Sequence, residues 1–80
     1  MKQAIIQYII TELLAGKEVN IAENDDLLGS GLIDSMGIMR LIAFLENQFG
    51  VKIPPQDMTI ENFMTVSDIE SYLNKRLAAA

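Results

Sequence analysis

Gly31-Leu32-Ile33-Asp34-Ser35-Met36-Gly37 is the stretch on which the fold turns. Before it lies a long polar loop containing Gly29-Ser30-Gly31; after it begins a strongly apolar pattern of helical period. Asp34 is a favoured N-cap residue, so Ser35 falls on the first turn of the helix that follows. A serine there is exposed by position. Its hydroxyl also stands near the unpaired N–H groups and the positive end of the helix dipole, a suitable place for a phosphate. An Asp–Ser pair taken alone more often does no more than cap a helix. The rest of the chain decides between the two.

Working outward, Ser35–Phe49 is expected to be a helix with Ile38, Leu41, Ile42, Leu45 and Phe49 at i, i+3, i+4 and i+7 spacing toward the core. Met36, Met39 and Ala43 lie on another side of it, next to Arg40. A methionine stripe at helical spacing is usually core, but the core stripe is already complete, so at least Met36 and Met39 read equally well as an adaptable contact surface. Gly50 ends the helix, and Val51-Lys52-Ile53-Pro54-Pro55 reads as a short extended piece. Lys2–Ala15 reads as a first helix, from Ile5, Ile9 and Leu13 with Ile6, Ile10 and Leu14 beside them, stopped at Gly16. Lys17–Ile33 is a long loop whose apolar residues Val19, Ile21, Leu27, Leu28 and Leu32 suggest packing across the other elements. Thr59–Met64 reads as a short helix with Ile60, Phe63 and Met64 as its apolar side. Thr65-Val66-Ser67-Asp68 fits a capping box for a last helix burying Val66, Ile69, Tyr72, Leu73 and Leu77, with Ala78–Ala80 extending or fraying it. The expected fold is all-α: a four-helix bundle of three longer helices and one short one, with a long first loop, as a single domain over 1–80.

Composition narrows the chemistry. Eighty residues, half of them apolar, carry a net charge of −5 and neither cysteine nor histidine. Disulfides, thiolate metal sites, cysteine nucleophiles and the usual general base are thereby excluded. The acidic balance argues against nucleic acid, and no apolar run reaches membrane-span length. A small helical chain without disulfides or an evident secretory signal fits the cytoplasm. Glu23, Asp25, Asp26 and Asp34 crowd the first loop, where like charges are expected to repel, but their spacing is not that of an EF-hand and no metal site is expected.

The ordered set resembles the acyl carrier proteins over nearly the whole chain. It comprises Asp26-Leu27-Leu28, then Gly31-Leu32-Ile33-Asp34-Ser35-Met36, Leu41, Leu45-Glu46, Phe49-Gly50-Val51, Ile53-Pro54, Thr65-Val66 and Tyr72-Leu73. The family's Asp-Ser-Leu is here Asp-Ser-Met. The resemblance implies that Ser35 carries 4′-phosphopantetheine, attached from coenzyme A by a phosphopantetheinyl transferase, with Asp34 and Gly37 in support. It further implies that the arm's thiol holds acyl or aminoacyl cargo as a thioester. The chain would then be a monomeric shuttle and a substrate of other enzymes, not an enzyme itself. Those partners are an acyl-adenylating ligase or acyl transferase, followed by downstream acyl-processing enzymes. Two departures are informative. Glu46 is the only acid between Ser35 and Phe49, where fatty-acid carriers are rich in carboxylates. Asp-Ser-Met-Gly is also similar to the Asp-Ser-Phe-Gly of D-alanyl carrier proteins, and Thr59-x-Glu-Asn-Phe to carriers loaded by adenylating ligases. Both favour a specialised ligase-loaded carrier over a housekeeping fatty-acid carrier, with Met36, Met39, Arg40 and Ala43 as the recognition surface. The reading from another functional class is an unmodified helical interaction domain using that same surface.

Overall fold

A computed structural model describes residues 1–14, 16 and 20–79 of the chain. Four helices, three long and one of a single turn, build the molecule, and no strand occurs among the described residues. Helix α1 spans Lys2–Tyr8 and runs on into a π-helical turn, Ile9–Leu13. The wider turn closes with Leu14 N–H on the Ile9 carbonyl and Gly16 N–H on the Ile10 carbonyl, both at 2.9 Å. Gly16 has φ +75°, a backbone conformation that costs glycine little. Helices α2 (Ser35–Phe49), α3 (Ile60–Phe63) and α4 (Val66–Ala79) follow, with a 3₁₀ turn at Pro55–Asp57 before α3. The expected ends of the first helix and its loop, Ala15, Lys17 and Val19, and the chain end Ala80 lie outside the described residues.

The core follows from the period of each helix. Ile5 and Ile9 from the first helical segment meet Leu41, Ile42 and Leu45 of α2, Phe63 of α3, and Val66, Ile69, Tyr72 and Leu73 of α4. α1 and α3 both lie against α4. Ile38 and Phe49, expected inward, are half-buried at the rim of this cluster. Two other expectations are corrected. Ile60 is 63% exposed at the start of the four-residue α3, although it shares a side of that turn with the buried Phe63. Leu77, in the last turn of α4, is 40% exposed, beyond the reach of the other helices. The extended piece contributes more than expected, since Val51 and Ile53 are both buried.

The long loop is stitched down as its apolar residues suggested. Leu27 N–H donates to the Met64 carbonyl and Ser67 N–H to the Glu23 carbonyl, both at 2.8 Å, so the loop is bonded across the α3–α4 junction. Ile21, Leu27 and Ile33 are buried, while Leu28 and Leu32 are half-buried. The loop carboxylates each have a partner of their own. Glu23 pairs with Lys2 at 2.9 Å, Asp25 accepts Ala22 N–H at 2.9 Å, and Asp26 accepts Gly29 N–H at 2.7 Å. Each closes a local turn or ties down a neighbour, and among the described residues no group of three acids is arranged to hold a metal ion.

Candidate functional site

Asp34 has extended backbone and its Oδ1 accepts the N–H of Gly37 at 2.7 Å, while its carbonyl accepts from Ile38 at 3.0 Å. The cap is therefore complete without Ser35. That division of labour leaves the Ser35 hydroxyl exposed on the first turn of a fifteen-residue helix. Gly37 is buried against Ile33, so the helix start is pressed closely onto the end of the loop. Met36 is 76% exposed and Met39 58% exposed, and Arg40 and Ala43 are exposed with them. The structure thus brings the four sequence-chosen recognition residues onto solvent-facing positions in the first turns after the serine.

Two hollows flank Ser35. The larger, about 360 Å³, is apolar: Ser35, Ile38, Met39 and Ile42 of α2 form one wall, Met58, Thr59, Ile60 and Phe63 the other, and Leu28 closes an end. Sequence reasoning missed this groove, because its second wall comes from a segment too short for periodicity to orient. The smaller, about 280 Å³, lies on the other side of the α2 start between Leu13, Leu32, Met36 and Arg40. Tyr8, also missed, joins α1 to α2 there. Its ring stacks on Phe44 with centroids 4.1 Å apart, and its hydroxyl donates to the Arg40 carbonyl at 3.3 Å.

Chemically, Ser35 is poorly supplied to act as a nucleophile in its own right. The chain has no histidine or cysteine, and the adjacent carboxylate of Asp34 is committed to its cap. An exposed hydroxyl beside an apolar groove is, however, a good point for attaching a group from outside. Comparison with known proteins decides the family: residues 3–73 match the model described as the phosphopantetheine attachment site. The chain belongs to the phosphopantetheine-attachment carrier proteins. Among its relatives, an acyl carrier protein of Thermotoga maritima is 35% identical over 72 residues, covering 90% of this chain and 86% of that one. A D-alanyl carrier protein of Streptococcus suis is also 35% identical, over 71 residues, 89% of this carrier and 87% of its own length. A solved chain from a crystal structure described as that of an FAD-dependent dehydrogenase superposes with a TM-score of 0.78 at 32% identity, covering 86% of this carrier and 97% of that chain. The cofactor of the family is a covalently attached 4′-phosphopantetheine, and this carrier has an exposed serine hydroxyl at a helix start beside an apolar groove. Among its described residues, no helix is long and apolar enough to cross a membrane.

Proposed function

We propose that Ser35 is the attachment point of the 4′-phosphopantetheine and that the chain, acting as one carrier unit over 1–80, shuttles acyl or aminoacyl cargo between enzymes without being one. The observation that carries this reading is the exposed Ser35 hydroxyl on a helix turn already capped by Asp34. When bound, the group supplies a terminal thiol on which cargo is held as a thioester. The chain's own part is to fix the attachment point, to favour the phosphate through the positive end of α2, and to be recognised.

Recognition is assigned to Met36, Met39, Arg40 and Ala43, the exposed residues that follow Ser35. The partners are a phosphopantetheinyl transferase, an acyl-adenylating ligase or acyl transferase, and downstream acyl-processing enzymes, all met in the cytoplasm. The structural match supports including a flavin-dependent dehydrogenase among the last group. A specialised, ligase-loaded role is supported by the scarcity of acid on α2. Its single carboxylate, Glu46, is itself occupied by the Ile53 N–H at 2.9 Å. The similarity to a D-alanyl carrier supports the same reading, while equal identity to an acyl carrier protein supports the alternative of a fatty-acid carrier.

The test is intact mass after incubation with coenzyme A and a broad-specificity phosphopantetheinyl transferase. The wild type gains one phosphopantetheine and Ser35→Ala gains none while keeping its helical circular dichroism. An unmodified wild type would favour the plain interaction domain, and a modified Ser35→Ala would place the attachment elsewhere.

A further inference from the structure

The groove wall opposite α2 is a strap with few attachments. At its start Ile53 N–H is held by Glu46, and the Lys52 carbonyl accepts from Arg76 Nη2 at 2.9 Å. At its end Phe63 is buried. Between them α3 has four residues, its N-cap Thr59 makes no side-chain capping bond, and Ile60, which lines the groove, is largely exposed. The middle of the strap is governed by Asp57. The Asp57 carbonyl accepts from Asn62 Nδ2 at 2.8 Å and from Thr59 N–H at 2.9 Å. The Asp57 carboxylate Oδ2 accepts the hydroxyl of Tyr72 from α4 at 2.7 Å. Tyr72 is itself buried, and its ring sits 5.7 Å from that of Phe63, which lines the groove. One side-chain hydrogen bond thus ties the strap to the bundle at the point where the groove wall begins.

We propose that the Asp57–Tyr72 hydrogen bond sets the width of the groove beside Ser35, making Asp57 and Tyr72 positioning residues that determine how large an apolar cargo the carrier shelters. The proposal rests on Ser35 being the attachment point, since that is what brings cargo to a groove Ser35 itself lines. The occupant is an apolar acyl chain, because the walls other than Ser35 and Thr59 are hydrocarbon or thioether. Each methylene moved out of water favours the sheltered state about fourfold. Shelter should therefore rise steeply with chain length until the groove is filled, then level off. The length at which it levels is fixed by the distance between α2 and the strap, and a strap freed from α4 moves that point.

The experiment attaches straight-chain acyl groups, from acetyl to dodecanoyl, using acyl-coenzyme A and a phosphopantetheinyl transferase. Thioester cleavage by hydroxylamine is then timed. In the wild type cleavage slows with each added methylene up to a limit. In Tyr72→Phe that limit moves to longer chains, and protection of the shorter ones falls about fivefold, the factor equivalent to one lost hydrogen bond. Asp57→Ala matches Tyr72→Phe, whereas Asp57→Asn, which keeps an acceptor oxygen, retains the wild-type profile. A uniform change at every length, or an unchanged profile, overturns the proposal. So does a wild type that loads normally but shows no length dependence, an outcome that leaves Ser35 as the attachment point. Failure to load would instead overturn the attachment reading. The unmodified chain gives a second readout. Amide hydrogen exchange in Tyr72→Phe rises most at residues 58–63, beyond the roughly fivefold rise that one lost hydrogen bond gives the most protected amides of the other helices, and a rise no larger at 58–63 than elsewhere overturns a local role.

Discussion

At Gly37 the packing leaves no room for a side chain: a Cβ there would stand 2.7 Å from Ile33 Cγ2 and 3.3 Å from Asp34 Oδ1. Alanine in a helix interior is ordinarily preferred over glycine by about 1 kcal/mol. Here that gain is opposed by overpacking, typically about 1–3 kcal/mol, against a branch methyl of a buried isoleucine that cannot swing aside. The steric effect wins, and Gly37→Ala is expected to destabilise the chain by about 1 kcal/mol net. Ile33→Leu moves the branch one carbon outward, so the double variant should recover part of the loss. Chemical denaturation of the four proteins checks this, and strictly additive losses would show that the Ile33 methyl is not the obstacle. The sequence made Gly37 visible as part of a motif, and Asp34 visible as a cap. It could not reveal that Gly37 is needed for close packing, because that need depends on where Ile33 lies, and Ile33 belongs to a loop without period.

Along α2 the division between faces was legible except toward the ends, where Ile38 and Phe49 are half-buried, because fifteen residues give the apolar period room to show. Leu41, Ile42 and Leu45 are buried and Met36, Met39, Arg40 and Ala43 are not. On the four-residue α3 the same reasoning found the apolar side but not that Ile60 would stay largely exposed, since one turn is too short to show how far that side reaches into the core. It also missed the π-helical turn at Ile9–Leu13, since the four-residue spacing of Ile5, Ile9 and Leu13 reads equally well as an α-helical stripe. The exposed face of α2 carries a prediction about docking. A partner there gains most by covering apolar surface, at about 25 cal/mol per Å², and less from exposed charge pairs, usually under about 1 kcal/mol. Met39→Asp should therefore impair loading strongly, by putting an unpaired carboxylate into a desolvated contact. Arg40→Glu should harm loading more than Arg40→Met if an acid on the partner faces Arg40. Glu46→Gln should do little, since glutamine still offers an oxygen to the Ile53 N–H. The measurement is kcat/KM for loading across ionic strength. A steep fall with salt together with tolerance of Met39→Asp would point to electrostatic steering by the acidic loop instead.

Across the molecule, side-chain hydrogen bonds and ion pairs also join the elements, and composition gave no hint of which residues pair. Lys2 bridges Glu23 of the loop at 2.9 Å and Glu70 of α4 at 3.5 Å, while Tyr72 bridges α4 to the groove strap. Such pairs join positions distant in sequence, so no local pattern announces them. Their ionisation, however, makes them testable through the stability of the whole chain. Burial, and then the hydrogen bond to the Asp57 carboxylate, push the Tyr72 phenol up from its ordinary value of 10.0 to about 12. The unfolded chain therefore loses this proton first as pH rises. Between about pH 10 and 12 the folded state binds more protons than the unfolded one, and stability must fall through that window, having been fully present below it. Lys2 is also shifted upward, chiefly by its hydrogen bond with Glu23, and adds a loss of the same sign at high pH. Its contribution is common to the wild type and to Tyr72→Phe, so it cancels in their difference. At neutral pH Tyr72→Phe should be less stable by about 1 kcal/mol, the usual worth of a hydrogen bond. As pH climbs toward 12 the wild type surrenders that advantage while the variant has no phenol at this position to ionise, so the two melting curves should converge. Thermal melts at pH 8, 10 and 11.5 test this, and curves that stay parallel would mean that Tyr72 keeps its proton no more tightly in the fold than out of it.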